Sequence, residues 1–249
     1  MPSKTDLNVT PYYDDYDKTK NFQQILARPG YAVQARELTQ MQSIIKEQVE
    51  KLGDFVLQEG AMVIPGQVRF LREFPMVKLD SSFGGASIDP TQYKGKYITG
   101  NISGVKAFVH HVELGTSTEA AILYMRYTAA AATDNTQTVF SEGESLSASE
   151  SVTHESIAFA ADAISAQVAS PSSTGYRIGF VGSTGKGCGA TIQEGVYYIR
   201  GSFVNVSEQT IIVEKYNFRT ASGRVGFTVT ESIVTPEGDS TLLDNAAGT

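Results

Sequence analysis

Tryptophan is absent, cysteine occurs once, and three histidines and eight prolines are spread over 249 residues. Each shortage closes a route. Cys188 alone cannot form an intramolecular disulfide, so the fold does not depend on an oxidising compartment, and cytoplasmic synthesis fits. Basic residues are also short. Twenty Lys plus Arg stand against 27 Asp plus Glu, a net charge of −7, which repels a phosphate backbone and argues against nucleic-acid partners. No run of about 18 apolar residues occurs, and the opening MPSKTDLNVTPYYDDYD has no apolar h-region, so neither membrane insertion nor a signal peptide is expected.

What is present points to β structure. Charged residues make up 19%, while Gly (23), Ser, Thr and Tyr (12) are abundant. After Gly60 short apolar or alternating runs follow one another: AMVIPG, QVRFLRE, PMVKL, GVKAFVHHVEL, AAILYMRYTAA, YRIGFVG, GVYYIRGSFVNV, QTIIVEKY and RVGFTVTESIV. Gly, Pro, Asn and Ser clusters separate them closely, which predicts a sandwich or barrel-like body and not βαβ units. Residues 129 to 175 are less periodic, and SIAFAADAISAQVA also fits a helix.

The first 58 residues differ. TPYYDDYD leads into a short helix candidate, KNFQQILA, stopped by Pro29-Gly30. Tyr12, Tyr13, Tyr16 and Phe22 are too many large rings to leave in water, so they are expected to dock on another element or another chain. From Gln34 to Leu57 no proline occurs and strong helix formers dominate, which predicts a long helix. Leu38, Met41, Ile45, Gln48, Leu52 and Phe55 recur at alternating spacings of three and four, the rhythm of a seam facing parallel helices, with Gln48 as a polar layer. The same residues, widened by Ile44 and Val49, also fit an amphipathic helix lying on its own β-domain. Periodicity alone leaves both open.

No residue pattern carries catalysis. The stretch Gly182-Ser183-Thr184-Gly185-Lys186-Gly187-Cys188-Gly189 resembles a phosphate loop, but Phe180 stands where a Walker loop needs glycine and Gly187 where it needs Ser or Thr. A flexible hairpin connection is the better reading. Asp14, Asp15 and Asp17 invite calcium, yet Lys20 and Leu26 occupy the positions an EF-hand reserves for glycine and a carboxylate, and Asp17 reads as the cap of the short helix. His110 and His111 are adjacent on a strand and point apart, and His154 in VTHES reads as a surface side chain. No GxSxG elbow occurs. Cys188 has Lys186 nearby but no evident histidine partner. Glu142, Glu144, Glu150 and Glu155 read as a solvated acidic face before a glycosidase pair. The protein is therefore expected to be no enzyme, with no cofactor and no bound metal.

Three segments are more specific. Asn8-Val9-Thr10-Pro11-Tyr12-Tyr13-Asp14-Asp15, Lys20-Asn21-Phe22 and the run from Arg28 to Gln40, RPGYAVQARELTQ, resemble the start of a family of structural proteins from contractile-tailed bacteriophages, including cyanophages. The likeness continues at 60 to 66, at 194 to 206 (EGVYYIRGSFVNV), and at 235 to 239 and 242 to 245. The resemblance implies a tail, baseplate or fibre-like component of the virion, a scaffold without catalytic residues, whose partners are copies of itself and neighbouring tail proteins. It favours a trimer built on the 38 to 55 seam.

The expected fold is mainly β with an N-terminal α-helix, in which one β-domain is interrupted by a second. Residues 1 to 58 form the arm and docking helix, 59 to 80 and 190 to 249 the first β-domain, and 81 to 189 the inserted one. A glycan-recognising tail module is the rival role, against which the missing tryptophan counts; a cell-envelope hydrolase lacks its constellation. The polar ending from Ile233 to Thr249 leaves Leu242 and Leu243 with nothing to pack beneath, so the chain is expected to continue into further domains.

Overall fold

The computed structural model describes residues 5–131, 136–179, 182–217 and 222–242. It is mainly β with one α-helix, α1 (Ala35–Val56), near the N-terminus. The chain forms two compact units. The first contains the described residues up to Gly66, then Glu194–Ser207, then those from Gly226 onward; the second contains Gln67–Gln193 and Glu208–Val225.

In the first unit, α1 accompanies a three-stranded antiparallel sheet of β1 (Met62–Ile64), β13 (Gly195–Ile199) and β14 (Ser202–Val206), in the order β1-β13-β14. The β13–β14 turn is Arg200-Gly201, with φ of 47° and 77°, the two-residue hairpin form whose twist matches its strands.

The second unit holds β2 (Val68–Lys78), β3 (Ser82–Phe83), β4 (Ala86–Ser87), β5 (Tyr97–Gly100), β6 (Lys106–Glu113), β7 (Ile122–Ala129), β8 (Ser145–Ala148), β9 (Val152–His154), β10 (Ile157–Phe159), β11 (Ile164–Gln167), β12 (Thr184–Ile192) and β15 (Gln209–Glu214). Eight of them make one antiparallel sheet, β11-β8-β5-β6-β7-β2-β12-β15. That sheet curls back on itself. Leu79 bridges Val168, the Asp80 N–H donates to the Gln167 carbonyl at 2.9 Å, and the Ala169 N–H donates to the Lys78 carbonyl at 2.9 Å. Six strands thereby close around a core that includes Val77, Ile98, Val109, Leu123, Met125, Leu146 and Val168. Because side chains alternate along a strand, the intervening β7 residues Ile122 and Tyr124 feed a smaller cluster with Phe74 and Met76 on the other face.

Several expectations are corrected. The chain divides at 66/67, 193/194, 207/208 and 225/226 where the sequence suggests 80/81 and 189/190: β2 and β12 are ladder neighbours from Val68↔Ile192 to Val77↔Thr184, and β15 pairs with β12. The glycine-rich stretch is the start of β12 and not a hairpin connection; Phe180 lies outside the described residues. Its glycines admit a close neighbour, since a β-carbon at Gly187 would stand 2.6 Å from the Lys215 carbonyl oxygen and one at Gly189 would stand 2.7 Å from that of Ile211. The segment 156 to 169 holds two short strands, Ile157–Phe159 and Ile164–Gln167, joined by a turn, and no helix. KNFQQILA forms no helix. A single 3-10 turn, Lys18–Lys20, precedes most of it, and Asp17 does cap that turn by accepting from the Thr19 N–H.

Candidate assembly interface

Helix α1 starts on its own side chains: the Gln34 N–H donates to the Glu37 carboxylate at 3.0 Å. The face of α1 that meets the rest of its unit is polar. Ser43 donates to Asp14, Gln40 to Asp15, and the Tyr16 hydroxyl to Glu47, while Arg36 pairs with Asp15 at 3.6 Å. Ile44 is the helix's buried large side chain, lining a hollow with Tyr16, Phe22 and Ile25 of the arm. One turn before the helix ends, Tyr198 of β13 donates to the Glu50 carbonyl at 3.0 Å and to the Asp54 carboxylate at 2.9 Å. The hydrogen bond from Tyr16 holds the Glu47 carboxyl below its usual range, and the same bond pushes the Tyr16 phenol up to about 12. Asp14 and Asp15 thus serve as anchors for the arm.

The apolar face points the other way. Leu38 is 52% exposed, Met41 46%, Ile45 59%, Leu52 66% and Phe55 88%, with Val49 and Val56 also exposed beside them. At about 100° per residue these side chains fall within an arc of roughly 120°, opposite Ser43, Glu47, Glu50 and Asp54. Gln48 is exposed in the same strip and donates to the Gln23 side chain at 3.2 Å. The arm's rings divide: Tyr16 is half-buried against the helix, whereas Tyr12, Tyr13 and Phe22 stay exposed.

The sheet of this unit, which includes the 194 to 206 stretch expected from the sequence to form an assembly surface, also leaves apolar side chains outside. Met62, Val63 and Ile64 of β1 and Phe203 and Val204 of β14 are all exposed. The signal was legible, because MVI and FV are apolar at consecutive positions, so neither face of these strands is polar. Among the described residues of the first unit, Ile44, Tyr197 and Tyr198 are the large apolar side chains that are buried, against two dozen exposed ones.

Residues 10–79, from the arm through α1 and β1 to the end of β2, match a family described as "Domain of unknown function (DUF4815)". That is less than half of the chain. No curated protein and no solved structure matches it.

The residues weighed for catalysis have structural partners in the second unit. His154 is buried, not on the surface: its Nδ1 accepts the Asp89 N–H at 3.3 Å, and its Nε2 lies 2.9 Å from the Ser165 carbonyl oxygen and 2.9 Å from the Tyr93 hydroxyl. Glu144 is likewise buried and not solvated. Its carboxylate accepts from the N–H groups of Ser141 at 2.7 Å, Ser103 at 2.9 Å and Ile102 at 3.3 Å, and from the Ser103 hydroxyl at 3.0 Å. Glu142 takes the Tyr176 hydroxyl at 2.5 Å. The β6–β7 ladder shifts register between Val109 and His111, and burial pushes the His110 imidazole below its ordinary value. Cys188 is buried within β12. Among the described residues no cluster of His, Cys, Asp or Glu could hold a metal ion, and no helix is long and apolar enough to cross a membrane.

Proposed function

We propose that this protein is a non-catalytic structural component of a bacteriophage tail or baseplate, acting in the virion as an attachment base that binds copies of itself and neighbouring tail proteins. One observation carries the assembly part: the first unit leaves its large apolar side chains outside instead of gathering them into a core. Burying a single Leu, Ile or Phe is worth about 1.5–3 kcal/mol, so an isolated unit of this kind forgoes most of the driving force for folding. A partner's surface supplies it. The resemblance of residues 8 to 40 and 194 to 206 to phage structural proteins supplies the setting, and both segments lie in the first unit. The trimer favoured by the seam fits a fibre base.

Antibody against the chain, applied to purified particles of the phage that carries its gene, tests the role. Label at the tail supports it. Particles without the protein, with the chain free in infected-cell lysate, overturn it.

A further inference from the structure

Helix α1 is amphipathic with the polarity of its faces reversed relative to a helix that covers its own domain. Its polar side is taken up by Asp14, Asp15, Tyr16 and Tyr198 of its own chain, and its apolar strip faces solvent from Leu38 to Val56, about 27 Å. We infer that this strip pairs with the same strip of other copies of this chain, side by side, parallel and in register, so that each of Leu38, Met41, Ile45, Gln48, Leu52 and Phe55 meets its own counterpart. The inference rests on the assembly role above and adds the occupant and its orientation.

Three features select that occupant. The exposed fractions of the seven apolar side chains amount to something on the order of 700 Å², close to the ~800 Å² each partner contributes to a standard interface. The second is the place of Gln48. In an antiparallel pair the six layers would match 38 with 55, 41 with 52 and 45 with 48, setting against Ile45 the Gln48 carbonyl oxygen and the N–H that its bond to Gln23 leaves over, with no partner for either across the seam. In a parallel, in-register pair Gln48 faces Gln48, and an amide carries both a donor and an acceptor for its own copy. Charge agrees. Residues five apart flank each other across a parallel seam, which sets Glu37 by Gln42 and Lys51 by Val56, with no like charges opposed.

Single-cysteine variants of the full chain, made with Cys188→Ala, test this directly. Met41→Cys and Leu52→Cys lie about 16 Å apart along the helix, and Lys46→Cys, outside the strip, is the control. Under mild oxidation Met41→Cys and Leu52→Cys should each link to itself, the control should not, and a mixture should give no Met41-to-Leu52 product. A dominant mixed product means antiparallel pairing and overturns the inference, as does the absence of any link in variants that melt like the parent. Absence of links while particles carry the protein at the tail would sink the self-pairing and leave the assembly role standing. Links in solution with no protein in particles would do the reverse to the tail assignment.

Discussion

Gly53 lies directly beneath the ring of Tyr198, so that a β-carbon on Gly53 would stand 2.6 Å from the Tyr198 hydroxyl oxygen. Tyr198 is fully buried and fixed by its bonds to Glu50 and Asp54, so it has no room to swing aside. The glycine is therefore what lets α1 close onto β13. In an exposed helix interior Gly→Ala stabilises by about 1 kcal/mol. Here Gly53→Ala should destabilise by about 1–3 kcal/mol, the usual range for overpacking. Thermal denaturation of the full chain checks the sign, and a rise in melting temperature would contradict the packing.

A buried carboxylate organises the second unit. Glu144 accepts from Ser141, Ser103 and Ile102, tying the turn after β5 to the entry of β8. Glu144→Ala should cost about 2–4 kcal/mol, because it strands buried donors, and Glu144→Gln should cost less. Chemical denaturation followed by tyrosine fluorescence measures both. Equal losses would mean that the donors are satisfied some other way.

Acid should weaken the second unit through Glu119. Its carboxyl is held below the ordinary 4.5, first by the hydrogen bond from Tyr216 and then by Lys215 and Lys78. Because the folded value is depressed, the stabilisation is complete above the ordinary carboxylate range and is lost as pH falls through the folded value. Melting curves between pH 6 and about pH 3 should therefore drop more steeply for the parent than for Glu119→Gln. Parallel curves would remove Glu119 from the account.

Deleting the middle of the chain should fail. Replacing 83 to 188 by a short linker would cut β12 inside its ladder with β2 and remove β7, the other neighbour of β2. The product should be insoluble or melt without cooperativity. A soluble, cooperatively melting product would contradict the sheet order.

The helix and the strand-rich body were legible because each rests on local periodicity. Gln34 to Leu57 has one period throughout, and the structure places α1 within one residue of those limits. What the sequence left open depends on contacts between distant segments. PMVKL and TGKGCGATI each read as local pieces, and only the ladder from β2 to β12 shows that they share a sheet. VTHES is polar around its histidine, at Thr153, Glu155 and Ser156, which hid His154, whose partners Tyr93 and Ser165 come from other segments. Glu144 sat in an acidic, serine-rich run and read as solvated because its donors lie about 40 residues earlier, at Ile102 and Ser103. Periodicity also did not show that Asp14, Asp15 and Tyr16 occupy the polar side of α1, so that Leu38, Met41, Ile45, Leu52 and Phe55 are left exposed.

Hydrogen exchange of the intact chain over a range of concentrations, read peptide by peptide, tests the central claim that the first unit is completed by association. Protection of α1, β1 and β14 should rise with concentration, while that of β5 to β8 stays constant, and Leu38→Asp with Ile45→Asp should abolish the rise without touching the second unit. Protection in α1 that is high at every concentration and unchanged in the double variant would show that a single chain covers its own apolar strip, and would contradict the account.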